Sequence, residues 1–226
     1  MSIYENIRSV KHRIEEAAKR SGRNPEEITL VAVTKNQPVS AVEEVIKAGV
    51  RDIGENRHQE LLTKYKAVDS NVNWHFIGHL QRNKVKYIMP FVYLIQSVDS
   101  IALAKEISKR AEKIGKVQDI LLEVNVSGEA TKYGFPPKEI APAIEELAQL
   151  KNIYLKGLMM MAPLTDNIER LRPYFAEIKR IFDDLYRRQG PNVEMRYLSM
   201  GMTGDFEVAI EEGSNMVRIG TAIFRP

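Results

Sequence analysis

The chain has 226 residues, of which 44% are hydrophobic and 28% charged, and its formal net charge is only +3. These values are ordinary for a globular protein, and so small a charge, spread along the chain, argues against a nucleic-acid partner. The absence of cysteine excludes disulfides, thiolate nucleophiles and cysteine-based zinc sites. No apolar stretch reaches the roughly 18 to 20 residues that span a bilayer, and the start lacks the apolar centre of a signal peptide. We therefore expect a cytoplasmic protein without a membrane partner.

The opening segment, MSIYENIRSVKHRIEEAAKRSG, is amphipathic and predicts an N-terminal helix. Apolar, strand-like runs then alternate with stretches whose apolar residues recur at helical spacing. The eight predicted strands are ITLVAVTK, RDIGEN, NWHFIG, FVYLIQSV, QDILLEVNV, IYLKGLMMM, EMRYLSMG and NMVRIGTAIF. The predicted helices include SAVEEVIKAG, SIALAKEISKRAEKIG, PKEIAPAIEELAQL and ERLRPYFAEIKRIFDDLYRR.

Eight successive strand–helix steps favour an α/β fold of the (β/α)8 TIM-barrel type. The alternative is a doubly wound open sheet, but its glycine-rich dinucleotide motif is absent after the first strand. The prediction is a single barrel domain over residues 1–226 with an extra N-terminal helix. In such barrels, functional residues collect at the C-terminal ends of the strands. Polar residues concentrate there in this sequence, namely Lys35, Glu55, Asn56, His75, Ser97, Asn125, Ser199 and Arg218.

Lys35 follows the apolar first strand, and no neighbour in the sequence offers it a carboxylate. A lysine held in apolar surroundings loses its charge more readily, and its neutral amine can then act as a nucleophile. The alternative is that Lys35 is simply the first solvated residue after a core strand.

The last two predicted strands are followed by small and hydroxyl-bearing residues, namely Ser199, Thr203, Gly220 and Thr221. In TIM barrels this region commonly binds phosphate, through backbone N–H groups and a helix N-terminus. The alternative is structural, with Thr203 capping the following helix and Gly220 relieving crowding.

Arg218 lies within the apolar eighth strand, and a buried guanidinium requires an acceptor, either a structural carboxylate or a ligand atom. An amine nucleophile, a phosphate site and an internal arginine together match pyridoxal phosphate, which has an aldehyde, a phosphate and a ring nitrogen. An arginine facing that nitrogen would leave it unprotonated and make the ring a weak electron sink.

Several stretches resemble the pyridoxal-phosphate homeostasis proteins, from about residue 5 to the end: AVTKNQP, GENRHQE, WHFIGHLQRNK, VNVSGEATKYGF, KGLMMM and LSMGMTGDFEVAIEEGSNMVRIGTAIF. The resemblance implies a barrel like the N-terminal domain of alanine racemase. It also implies that Lys35 is the Schiff-base lysine and that Arg218 faces the ring nitrogen. The implied phosphate ligands are Ser199, Thr203, Gly220 and Thr221, and the implied pocket residues are Asn56 and His75. This chain has Thr34 and Asn36 where the family often has serine and threonine, and Thr203 where it often has serine.

The resemblance further implies a carrier that holds pyridoxal phosphate reversibly and regulates vitamin B6 and the balance of amino acids and keto acids, without established turnover. Apo-enzymes that need the cofactor are its candidate recipients, and we expect a monomer. The second hypothesis is a low-activity cofactor-dependent racemase or lyase, for which the sequence offers no convincing second base. The third is a Schiff-base aldolase acting on a phosphorylated sugar. For His75 and His79 a metal site is disfavoured, because no convergent carboxylate appears nearby.

Overall fold

The computed structural model describes residues 2–68, 71–129, 131–186 and 190–225. Eight parallel strands form a closed barrel in chain order, and the last strand pairs with the first. The strands are β1 (Thr29–Val33), β2 (Asp52–Glu55), β3 (Asn73–Phe76), β4 (Leu94–Val98), β5 (Gln118–Glu123), β6 (Ile153–Met159), β7 (Val193–Ser199) and β8 (Met216–Ile219). The prediction of a TIM barrel rather than an open sheet is confirmed.

Helices cover the outside of the barrel, and the predicted N-terminal helix is confirmed. The helices are α1 (Ile3–Arg20), α2 (Val39–Lys47), α3 (His58–Ala67), α4 (Val85–Ile88), α5 (Ile101–Glu112), α6 (Ile140–Leu147), α7 (Arg172–Tyr186), α8 (Phe206–Glu211) and α9 (Thr221–Phe224). A capping box starts α1, where the Ser2 hydroxyl accepts from the Glu5 N–H and the Glu5 carboxylate accepts from the Ser2 N–H. Among the described residues, no helix is long and apolar enough to cross a membrane.

The eighth predicted strand, NMVRIGTAIF, is wrong in its second half. The strand β8 ends at Ile219, and the residues TAIF form the short helix α9. The N–H groups of Ile223 and Phe224 both bond to the carbonyl of Gly220, which turns the chain into a helix. The Asn6 side-chain amide on α1 donates to the Ile223 carbonyl at 2.9 Å and holds that helix in place. A short apolar run does not distinguish strand from helix by its periodicity, which explains the error.

The barrel interior has an apolar layer below a polar layer. Its apolar residues are Val31, Leu94, Leu121, Met159 and Met216, and they form a cluster separate from the larger core between sheet and helices. Because side chains two residues apart along a strand face the same way, the next inward positions toward the C-terminal ends are Gln96, Glu123 and Arg218. The apolar layer is therefore the floor of a polar cup.

Gly157 allows β6 and β7 to approach each other closely. Its φ is +143°, and a Cβ built there would lie 1.9 Å from the carbonyl oxygen of Tyr197. The register between these two strands shifts at this position. Only glycine fits this irregularity of the barrel wall.

Candidate functional site

Lys35 lies just beyond β1 at the C-terminal mouth of the barrel, and its side chain is exposed. Of the two interpretations of this lysine, the structure favours a solvated residue after a core strand, because the chain has already left the barrel wall at Thr34. A cavity of about 130 Å³ is lined by Lys35 together with Gly220 and Thr221. These residues meet because β1 and β8 are hydrogen-bonded neighbours that close the barrel. The structure thus brings the predicted nucleophile and two predicted phosphate ligands to one cavity.

The loop after β7 and the start of α9 are joined by Thr203. Its hydroxyl accepts a hydrogen bond from the Ala222 N–H at 3.3 Å, so it does not cap α8, whose N-cap is Asp205. A Cβ on Gly220 would lie 3.1 Å from the Val33 carbonyl oxygen, a tight contact that agrees with the structural reading of this glycine. The helices α8 and α9 have only six and four residues. Any anion here would therefore depend on hydroxyls and loop N–H groups rather than on a long helix dipole.

Arg218 is held rigidly inside the mouth of the barrel. Its Nη1 donates to the Ser199 carbonyl at 2.9 Å and to the Ser199 hydroxyl at 2.7 Å, and its Nη2 donates to the Met160 carbonyl at 2.8 Å. The sequence left open whether the acceptor is a carboxylate or a ligand atom. The structure instead shows two backbone carbonyls and one hydroxyl. Burial lowers the pKa of Arg218 to about 10, and the negative charges of Asp205 and Glu123 oppose that effect.

A chain of buried hydrogen bonds runs from Arg218 across the barrel. The Ser199 hydroxyl donates to Gln96 Oε1 at 2.7 Å, and Gln96 Nε2 donates to His75 Nδ1 at 2.9 Å. His75 Nε2 then lies 3.0 Å from Asp52 Oδ1. Because Nδ1 accepts a hydrogen bond, the ring proton of His75 lies on Nε2 and is donated to Asp52.

The structure places two predicted site residues in this network rather than in the lining of the cavity at Lys35. Ser199 and His75 are each fully buried, and their polar atoms are used by Arg218, Gln96 and Asp52. Both therefore help to hold Arg218 and Gln96 in place through hydrogen bonds.

Asn56 follows β2 and lines a different, neighbouring cavity of about 550 Å³. Its Oδ1 is buried and has no hydrogen-bond partner among the residues that the structure describes. Since buried polar atoms are rarely left unpaired, this atom marks a place where a bound molecule or a water would supply a donor.

Glu123 is a residue of the cup that sequence reasoning missed. It ends β5 and is 4% exposed, whereas the sequence placed the end of this strand at Asn125. Burial raises the pKa of Glu123 to about 7, and the nearby charge of Asp99 acts in the same direction while Arg218 opposes it. A carboxyl group with such a pKa can take up or release a proton near neutral pH. The available signal was an acidic residue within the apolar stretch ILLEV of the predicted fifth strand.

Comparisons with known proteins bear on the family and the fold of the chain. Residues 6–226 match the family model described as alanine racemase, N-terminal domain. The chain is 46% identical to the pyridoxal phosphate homeostasis protein of Aquifex aeolicus, over 99% of this chain and 98% of that protein. It is 36% identical to the protein of the same name from Bos taurus, over 96% of this chain and 85% of that protein.

Two solved structures have a similar fold. PipY of Synechococcus elongatus with pyridoxal phosphate bound is 31% identical and has a TM-score of 0.86, over 99% of this chain and 100% of that chain. An alanine racemase of Clostridium difficile is 18% identical with a TM-score of 0.76, and the match covers 97% of this chain and 56% of that one, which shows the fold alone. The chain belongs to the family of pyridoxal phosphate homeostasis proteins, with a barrel of the alanine racemase N-terminal type.

Proposed function

We propose that this protein binds pyridoxal phosphate covalently through Lys35 and acts as a cytoplasmic carrier that regulates the free level of the cofactor, and with it the balance of amino acids and keto acids. The observation that carries the proposal is the cavity shared by Lys35, Gly220 and Thr221, at the end of the strand that carries the rigidly held Arg218. The pyridoxal phosphate in the PipY structure and the names of the relatives support it. We further propose that residues 1–226 act as one monomeric domain that delivers the cofactor to apo-enzymes.

The candidate site residues fit the three functional groups of the cofactor. The Lys35 amine would hold the aldehyde as a Schiff base, with loss of one water. Thr203, Gly220 and Thr221 would hold the phosphate through hydroxyl and backbone N–H groups. The guanidinium of Arg218 would face the ring nitrogen.

Arg218 also favours a carrier over an enzyme. With a pKa of about 10, its guanidinium remains protonated at neutral pH and can only donate hydrogen bonds. The ring nitrogen would then accept a hydrogen bond without becoming protonated. A ring in that state withdraws electrons weakly, which suits retention of the cofactor better than turnover.

The remaining predicted residues take supporting roles in this proposal. Ser199 and His75 would keep Arg218 in place through the buried network described above. Asn56 is kept as a pocket residue because its buried Oδ1 lacks a donor among the described residues.

A low-activity racemase or lyase is the second candidate, and Glu123 is the observation that favours it. Such chemistry requires proton-transfer groups on both faces of the substrate carbon. Lys35 would serve one face, and Glu123, whose pKa is about 7, is the acid or base that the sequence did not reveal.

The proposal is tested by the absorption spectrum of the protein with added pyridoxal phosphate, followed by borohydride reduction and peptide mass mapping. We expect a yellow complex whose reduced adduct maps to Lys35. Lys35→Ala should abolish the adduct, whereas Lys47→Ala, which changes an exposed lysine on α2, should leave it intact. A missing adduct, or one mapped to another lysine, would contradict the proposal.

Incubation of the loaded protein with single enantiomers of amino acids then separates carrier from enzyme. Conversion to the other enantiomer or to a keto acid would favour the second candidate. A protein that binds no pyridoxal phosphate but retains a sugar phosphate would instead favour the aldolase hypothesis. Transfer of the cofactor from the loaded protein to a purified apo-enzyme tests the carrier role. The mass of the protein in solution tests the monomeric state.

A further inference from the structure

Lys35 occupies the second position of a tight turn. The Gln37 N–H donates to the Thr34 carbonyl at 3.0 Å, which closes a four-residue turn over Thr34 to Gln37. Asn36, at the third position, has a φ of 61° and is the one non-glycine residue with positive φ among the described residues. Turns with positive φ at this position favour glycine or asparagine. Asn36 is therefore explained by the turn that presents Lys35.

Two side chains of α3 hold the peptide groups on either side of Lys35. Lys64 Nζ donates to the Thr34 carbonyl at 2.6 Å, on the N-terminal side. The Glu60 carboxylate accepts from the Asn36 N–H at 2.8 Å, on the C-terminal side. Lys64 Nζ and Glu60 Oε2 are 3.5 Å apart, and the two residues lie one helical turn from each other. The backbone of Lys35 is thus fixed on both sides by one helix.

Lys64 is buried, and its charge is balanced by Glu55 at the end of β2. Lys64 Nζ lies 2.6 Å from Glu55 Oε1, and their side chains are 5% and 0% exposed. The Thr34 hydroxyl donates to the same Glu55 oxygen at 2.5 Å. A buried ammonium group requires such a partner, because an unpaired charge in the interior is strongly destabilising. The sequence neighbours of Lys35 predict no carboxylates near it, and those present bind the backbone of the turn and Lys64 rather than the Lys35 amine.

We propose that Lys64, neutralised by Glu55 and assisted by Glu60, is a positioning residue that directs Lys35 toward the cavity containing Gly220 and Thr221. This inference rests on the proposed covalent attachment at Lys35. A lysine on a loose turn would lose much conformational freedom on reacting, whereas a turn held in advance leaves only the side chain to be ordered. Held this way, the amine reacts faster with an aldehyde whose phosphate lies at the end of β8.

The competing explanation is that the buried pair only stabilises the barrel, and a double variant separates the two. Lys64→Met combined with Glu55→Gln removes both buried charges and leaves an acceptor for the Thr34 hydroxyl. Because loss of both partners leaves no unpaired buried charge, this variant should fold with nearly wild-type stability. The matched control is Lys66→Met, which removes an exposed lysine from the same helix. Single Lys64→Met should be far less stable, since it leaves Glu55 buried and unpaired.

Two measurements decide the inference: the rate of Schiff-base formation with pyridoxal phosphate, and amide hydrogen exchange of the peptide covering residues 34–37 in the cofactor-free protein. For the double variant we expect adduct formation at Lys35 to slow by about tenfold, the size of effect that a modest misplacement produces, and exchange at the turn to become faster. Lys66→Met should match the wild type in both.

Wild-type rates and wild-type exchange in a folded double variant would overturn the inference and leave Lys64 with a stabilising role only. Faster exchange with an unchanged rate of adduct formation would also overturn it. Lys64 would then order the turn in the wild type without affecting the reactivity of Lys35. If the wild type itself forms no adduct, the proposed function fails. The exchange measurement in the cofactor-free protein would still show whether Lys64 holds the turn.

Discussion

Replacing Glu123 with glutamine keeps the size of the side chain and removes its proton equilibrium. In the folded protein the pKa of Glu123 is about 7, against an ordinary value of 4.5. As the pH rises from 4.5 to 7, the unfolded chain releases a proton that the folded chain retains, so the free energy of unfolding falls. The stability present below pH 4.5 is therefore lost as the pH rises through 7, the opposite of what a salt-bridged carboxylate does.

The size of the effect follows from the two pKa values. They differ by about 2.5, and each unit is worth about 1.4 kcal/mol, which gives roughly 3.5 kcal/mol in total. Of this, roughly 2.5 kcal/mol appears between pH 5 and pH 8, because the unfolded carboxyl group is already partly ionised at pH 5. Glu123→Gln should remove this loss. The stability of the variant relative to the wild type should therefore increase by about 2.5 kcal/mol between these two pH values.

Urea unfolding of both proteins, freed of bound cofactor, at pH 5 and pH 8 measures the difference. Other titrating groups contribute equally to both proteins and cancel in the comparison. Glu112→Gln, at an exposed position at the end of α5, is the control and should give a difference that does not change with pH. A constant difference for Glu123→Gln as well would refute the raised pKa of this buried carboxyl group.

Three further predictions concern the barrel wall, the buried network and the phosphate site. Gln96→Leu breaks the link between Ser199 and His75 and should cost about 1 to 3 kcal/mol in urea unfolding, because buried polar atoms lose their partner. The same variant should shift the visible absorption of the pyridoxal phosphate complex, and an unshifted band would show that the network does not act on the ring. Gly157→Ala should lower the free energy of unfolding by about 3 kcal/mol or more, because its Cβ would overlap a carbonyl oxygen. The control Gly22→Ala, at a position with positive φ but open space, should lower it by about 1 kcal/mol. Equal losses would contradict the steric argument. Thr221→Val removes one hydroxyl from the proposed phosphate site and should weaken pyridoxal phosphate binding by about tenfold in an absorption titration while pyridoxal, which has no phosphate, is unaffected.

The barrel itself was predictable because its signal is local and repeated. Each strand is a short apolar run and each helix an amphipathic one, and eight such steps leave few topologies open. The positions of the strand ends were less secure. Reading the fifth strand to Asn125 instead of Glu123 hid an acidic residue that faces the cup.

The sequence does not predict how deep in the barrel a polar side chain lies or which partner it binds. Ser199 and Thr203 look alike in the pattern of hydroxyls after the seventh strand, yet Ser199 bonds to Arg218 and Thr203 bonds to the start of α9. Likewise, Lys64 lies 30 positions from the carbonyl it binds, and nothing in the spacing indicates that contact. Such roles arise where separate elements meet in three dimensions.

The hydrogen bond between Asn6 and Ile223 places the first and last helices of the chain side by side. In a closed barrel every strand has two neighbours, so the order in which the chain visits them has no intrinsic starting point. A short linker from α9 to α1 would therefore allow the chain to be opened elsewhere, for example at Gly115, where a side chain would meet open space. Such a circular permutant would keep every strand pairing of the native barrel, although α1 would no longer be the first element in chain order.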